Sequence, residues 1–120
     1  MKLAVTTLGK TRLDPVDQRF GRAEYILIFD ENNVQLDCIE QGSLAPASGA
    51  GIAMAQKLID AGIDVLITGH LGPNAWQVLS ASDIRLYEAV EGTADDQLSA
   101  WHQDALSPIS AAGQAHRGRS

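Results

Sequence analysis

Cysteine is almost missing from the chain: Cys38 is the single one in 120 residues. No internal disulfide framework can form, and the set of about four thiolates that holds an ordinary iron–sulfur cluster is not there. Any metal would need another mode of attachment. Long apolar runs are also missing. The N-terminal stretch M-K-L-A-V-T-T-L-G-K breaks at Gly9, far short of a signal-peptide core or a spanning helix, so a cytoplasmic location without membrane contact is expected. Cations are scarce as well. Nine Lys and Arg stand against fifteen Asp and Glu, and the formal charge of −6 argues against broad nucleic-acid binding, which needs a basic face to displace counterions from phosphates. A local positive patch remains compatible with that charge. No Gly-Lys-Ser/Thr follows G-A-G-I-A-M-A-Q, which removes a phosphate loop. Aromatics make up 5%, and Trp76 and Trp101 read as packing residues rather than stacking platforms.

What is there is ordinary globular material, 45% hydrophobic and 20% charged, of a length that suits one domain with one core. Residues 2–7, K-L-A-V-T-T, lack a helical period and predict a central strand. Residues 8–23 carry Gly9, Pro15 and Gly21 among polar residues and predict a long loop, a feature that often carries function. E-Y-I-L-I-F-D (24–30) predicts a second strand, Glu31-Asn32-Asn33 a tight hairpin turn, and V-Q-L-D-C-I-E (34–40) a third strand with Val34, Leu36 and Cys38 on a covered face.

The small-residue loop 41–51 then opens into a helix with Ile52, Ala55, Leu58 and Ile59 on one face, stopped in left-handed conformation at Gly62. I-D-V-L-I-T (63–68) predicts a buried strand. Pro73 predicts the start of a second helix, with Ala75, Val78 and Leu79 inward. I-R-L-Y (84–87) predicts a fifth strand. Thr93 predicts the cap of a third helix running to about Ala105, with Leu98, Trp101 and Ala105 inward. Residues 1–106 are thus expected to form the domain and 107–120 a disordered tail.

The order β-β-β-α-β-α-β-α predicts an α/β fold with a mixed five-stranded sheet and helices on its faces. If strands one, three, four and five run parallel and strand two antiparallel, the loops at 9–23, 42–51, 68–74 and 88–92 gather on one rim. Ligands of open α/β sheets bind at such a rim. Lys10, Arg12, Arg19 and Arg22 lie in the first loop, partly offset by Asp14 and Asp17, and two helix N-termini open there, so an anion site is expected.

His70, in T-G-H-L-G-P-N, is either a ligand or a residue of a strand-to-helix connector. Arg22 either contacts a ligand or covers the sheet edge. Cys38 reads as a small buried hydrophobe, and His102 and His116 as solvated side chains.

The N-terminal strand, the F-G-R-A at residues 20–23 before the strand ending in Asp30, the G-A-G-I before the first helix and the G-x-x-G-P-N-A at 69–75 carry a resemblance. Together, in this order and spacing over about residues 1–105, the chain resembles the dinitrogenase iron-molybdenum cofactor biosynthesis family. The resemblance implies a ribonuclease H-like sheet. It also implies non-enzymatic carriage or storage of an iron–sulfur or molybdenum-containing cluster, bound without a covalent link, with cofactor assembly proteins as delivery partners. The positions that match the motifs are Gly21, Arg22, Gly49, Gly51, Gly69, Gly72 and Asn74; His70 fills an open position of G-x-x-G, and the use of a His in cofactor binding by some members makes it the candidate metal ligand, with no catalytic residue implied. Two other classes stand beside it: a binding or regulatory module for a small anion, and a nuclease of the same fold class. The latter needs clustered carboxylates on strand ends, and L-A-V-T-T has none.

Overall fold

Strand β1 (Lys2–Thr7) buries every side chain after Lys2, and only the middle of a sheet covered on both faces can accept such a run. The computed structural model describes residues 1–41 and 50–109. In it β1 pairs antiparallel with β2 (Tyr25–Asp30) and parallel with β4 (Val65–Thr68). Outside these lie β3 (Gln35–Glu40), antiparallel to β2, and β5 (Arg85–Glu88), parallel to β4. Strands one, three, four and five are therefore parallel and strand two opposes them. A sixth strand, β6 (Ser107–Pro108), closes the order β3-β2-β1-β4-β5-β6.

Side chains alternate across the sheet and feed two cores. On one face, α1 (Ala50–Asp60) and α2 (Pro73–Ser80) pack Met54, Leu58, Ala75 and Leu79 over Ala4, Ile26, Ile28 and Leu66. On the other, α3 (Ala94–His102) packs Ala94 and Leu98 over Leu3, Val5, Leu27, Phe29 and Ile67. Each fully buried Val, Leu, Ile, Phe or Met side chain among these contributes about 1.5–3 kcal/mol through removal from water.

Several boundaries carry their own chemistry. Asn33 takes φ 66° in the β2–β3 turn, where the Asp30 carboxylate accepts the N–H groups of Asn32 and Val34 at 2.8 and 2.9 Å. Gly62 ends α1 at φ 75°. Thr93 caps α3 in a reciprocal box: its hydroxyl accepts from Asp96 N, and the Asp96 side chain accepts from Thr93 N.

Four expectations need correction. The sheet has six strands, not five, because the segment assigned to the tail begins with β6: Ser107 and Pro108 pair with Glu88 and Tyr87. Pro108 is tolerated there because an edge strand need not donate on its outer side. Next, α3 stops at His102 and leaves Ala105 exposed, because Asp104 adopts φ 58° and Ala105 N–H turns back to Ala100 O at 2.8 Å. Asp tolerates that left-handed position better than most residues. On β3 the face expected to be covered is half open: Leu36 is exposed, as is Val34 just before the strand, and only Cys38 joins the second core. Finally, Ile52 is exposed instead of packing inward. The rest of the expected tail, residues 110–120 with His116, lies outside the described residues.

Candidate functional site

The site is built where the β1–β2 connection crosses the end of β4. Asp17 N–H donates to Thr6 O at 2.8 Å, and the Thr6 hydroxyl donates to Asp17 O at 2.7 Å, so the chain is fastened to the end of β1. Thr6 and Thr68 hydroxyls meet at 2.7 Å beneath it. One residue on, His70 N–H donates to Gln18 O at 2.6 Å and Phe20 N–H donates to His70 O at 3.1 Å. Residues 18–20 therefore run as a short parallel extension beside His70.

This crossing explains Gly69. A Cβ there would lie 2.7 Å from Gln18 O, so the backbones can approach only if the residue has none. Gly69 serves the crossing; it does not line the cavity described next.

Phe20–Arg22 forms one turn of 3-10 helix with Phe20 buried beneath it. Between this turn, the His70 loop and the starts of α1 and α2 lies a cavity of about 330 Å³. Arg19, Gly21, Arg22, Gly51, Ile52, His70, Gly72 and Asn74 are among the residues that line it. Of the positions singled out in the sequence, Gly21, Arg22, Gly51, His70, Gly72 and Asn74 thus come together in one place, and Gly49 lies outside the described residues. Arg19, expected as a rim cation, joins them, and Phe20, Ile52, Pro73 and Ala75, which were not named as site residues, complete the lining.

Each wall has a physical reason. Pro73 opens α2 at a position where its missing N–H costs nothing, and Gly72, the residue before it, supplies no side-chain cap. The first-turn N–H groups of α2 therefore keep hydrogen-bonding capacity at the cavity edge. Gly51 lets α1 approach α2, since a Cβ there would lie 3.2 Å from the Ala75 Cβ. Gln41 holds the 3-10 turn from the side, its amide donating to Gly21 O at 2.9 Å and Ala23 O at 3.3 Å. That support comes from the far end of β3, and no local signal in the sequence connects it to Gly21.

The cations of the first loop divide. Arg19 grips Asp17 through Nε and Nη2 at 3.0 Å each, and this hydrogen-bonded pairing raises the guanidinium above its ordinary range, so it stays charged. Arg12 instead bridges to Asp95 at 3.1 Å and stacks over the Phe29 ring at 5.3 Å, on the α3 side. Lys10 lies 6.0 Å over the Tyr25 ring. Neither lines the cavity.

His70 is exposed, and among the described residues its imidazole has no hydrogen-bond partner, so a ring nitrogen is available to a ligand. Cys38 is not near: it packs into the second core, on the opposite face of the sheet from the helices that wall the cavity, and burial pushes its thiol up. His102 is exposed as expected, though its Nε2 meets Asn33 Oδ1 at 2.8 Å. No group of three or more His, Cys, Asp or Glu among the described residues is arranged to hold a metal ion. The arrangement can offer N–H donors, positive charge and one imidazole to an anion that arrives already assembled.

The sequence profile described as dinitrogenase iron-molybdenum cofactor matches residues 1–104. The chain belongs to that family. Among solved structures, the apo form of the orange protein from Desulfovibrio gigas is 31% identical, with a TM-score of 0.84 over 92% of this chain and 93% of that one. A NifB-like protein of the DUF35 family from Thermotoga is 30% identical, with a TM-score of 0.79 over 92% and 94% of the two chains. An uncharacterised protein of Methanocaldococcus jannaschii is 27% identical over 99 residues, 80% of each chain. The family match spans every element that builds the cavity. No helix among the described residues is long and apolar enough to cross a membrane.

Proposed function

We propose that this member of the dinitrogenase iron-molybdenum cofactor family is a non-enzymatic carrier or store, on a ribonuclease H-like sheet, for an anionic metal–sulfur cluster. The cargo is an iron–sulfur cluster or a precursor of the iron-molybdenum cofactor, held without a covalent bond and passed in the cytoplasm to cofactor assembly proteins. The observation that carries this reading is the composition of the cavity: two guanidinium side chains, an imidazole and an uncapped helix start, with no multidentate cage among the described residues.

A bare metal ion would find too few ligands in such a cavity. A preassembled cluster brings its own sulfides and needs only charge compensation, N–H donors and at most one replaceable ligand, which is the role of His70. Weak attachment also suits a cargo that must leave again. The nuclease reading lacks its chemistry here. The two central strands, β1 and β4, end in Thr6, Thr7 and Thr68, and the nearby carboxylate of Asp17 is consumed by N–H donors instead of facing a metal pair.

Anaerobic titration with tetrathiomolybdate and with a nitrogenase cofactor precursor, followed by absorbance and size exclusion, tests the proposal. Co-migration of metal with the protein is the expected result, and no co-migrating metal with either cargo would sink it. His70→Ala is expected to lower retention at least about tenfold, since losing even a hydrogen-bond partner of a metal ligand costs about 10–100-fold in affinity. Unchanged affinity would return His70 to a connector. Stabilisation by an organic anion and by neither cluster would favour a small-anion regulatory module.

A further inference from the structure

Asp17 invites two opposite expectations. By charge alone it weakens the rim, since it sets a carboxylate beside the cations that would hold an anion. Its geometry argues the reverse. The residue is 2% exposed, and its backbone is pinned to Thr6 in both directions. Its Oδ1 accepts from Arg19 N and Arg19 Nε at 3.0 Å each, while Oδ2 accepts from Arg19 Nη2 at 3.0 Å and Glu24 N at 3.3 Å. The carboxylate is thus a fixed socket at the end of β1, and the guanidinium is seated in it as a two-pronged fork.

A guanidinium carries five N–H donors in one plane, and this fork spends two of them. The Arg19 side chain remains 56% exposed and borders the cavity. Its remaining donors are held in a set direction, and a long, rotamer-rich side chain has lost its freedom before any ligand arrives.

We propose that Asp17 is a positioning residue of the cavity, holding Arg19 as a rigid, charge-compensated donor for the sulfide or oxo edge of an anionic cluster. Recognition at Arg19 is then directional and does not follow net charge. This inference rests on the carrier reading above, and it adds a specific requirement: the cargo must present acceptor atoms to a fixed planar donor, which a lysine cannot mimic.

The test uses tetrathiomolybdate and the full chain. Asp17→Asn removes one negative charge beside the site, so a charge-only rim would bind the anion more tightly. Positioning gives the opposite sign. Both Asp17→Asn and Arg19→Lys are expected to weaken binding about tenfold, the scale of one charge-assisted hydrogen bond. Equal or tighter binding by a folded Asp17→Asn protein, or wild-type affinity in Arg19→Lys, would overturn the proposal. If Asp17→Asn fails to fold, the exposed Arg19→Lys change decides alone.

A second readout is independent of cargo. The Arg19 Nε–H is expected as a distinct NMR signal protected from solvent exchange in the wild-type protein. A rapidly exchanging signal there would overturn the positioning role whatever the cargo does. Failure of the wild-type protein to bind either cargo, with the Nε–H still protected, would count against the carrier reading and leave the Asp17–Arg19 socket standing.

Discussion

Residues 8–15 and 16–23 of the β1–β2 connection each carry two cations, yet the first pair is spent on the α3 side of the sheet while the second borders the cavity. In the first half, Leu8 N–H donates to Pro15 O at 2.9 Å, and Ala94 and Asp95 at the start of α3 donate to Asp14 O and Arg12 O at 3.1 and 2.9 Å. The loop therefore folds back over α3 and takes Arg12 with it. In the second half, Val16 N–H still donates to Gly92 O, but from Asp17 on the hydrogen bonds run to Thr6 and His70 and bring Arg19 and Arg22 to the opposite side. Similar charge in one loop thus has two addresses, and backbone pairing, not composition, decides which.

The largest expected effect comes from breaking the second half at its narrowest point. Gly69→Ala forces a Cβ against Gln18 O and Gln18 Cα, 2.7 and 2.8 Å away, and neither is a flexible side-chain end that could swing aside. A loss of about 3 kcal/mol is expected for such overpacking, read as a lower denaturation midpoint, with loss of cargo binding as the 18–20 segment lifts from His70. A variant of wild-type stability would show that the crossing is looser than its geometry implies.

Arg12→Ala breaks the first half and should do something different. It removes the bridge to Asp95, a hydrogen bond to Asn33 O and the contact with Phe29. Because the pair is partly exposed, a loss of about 1 kcal/mol is expected. Cargo affinity should stay at the wild-type value, while Arg22→Ala lowers it. If titration with tetrathiomolybdate gives Arg12→Ala and Arg22→Ala the same loss, the division between the halves fails and the rim acts as one diffuse positive field.

Much of this architecture is legible in short sequence signals because its causes are local. Asn33 and Gly62 adopt the positive φ that their chemistry permits, Pro73 sits at the first position of α2, Thr93 caps α3, and the all-apolar centre of β1 requires cover on two faces. What escapes has non-local or atypical causes. The stop at Asp104 lacks the usual glycine, and β6 contains a proline and exists only because β5 offers an open edge.

The candidate site divides in the same way. Gly51, His70, Gly72 and Asn74 were legible as positions on one rim because parallel strands bring their following loops to the same edge. That Gly69 faces Gln18, that Gln41 holds the Gly21 turn and that Arg12 leaves the rim are consequences of backbone crossings between segments distant in sequence. The Asp17–Arg19 fork spans only two residues, but a D-x-R spacing does not say that the carboxylate is buried.

The smallest expected effect on the fold is at Gly72, and it sharpens the contrast with Gly69. A Cβ at Gly72 meets nothing within 4 Å, and its φ of −68° suits alanine. Two small terms oppose each other: alanine restricts the unfolded chain, worth about 0.4–1 kcal/mol of stability, and it is a poorer N-cap than glycine by a similar amount. Stability should therefore stay within about 0.5 kcal/mol of wild type. Neither backbone conformation nor internal packing requires glycine here, and Gly72 borders the cavity, so the methyl group of Gly72→Ala is expected to narrow it at the uncapped start of α2. Reduced tetrathiomolybdate binding at unchanged melting temperature is the expected signature of a glycine kept for the ligand. Full binding would mean that the cargo sits nearer Arg19 and Arg22 and leaves the α2 start to water.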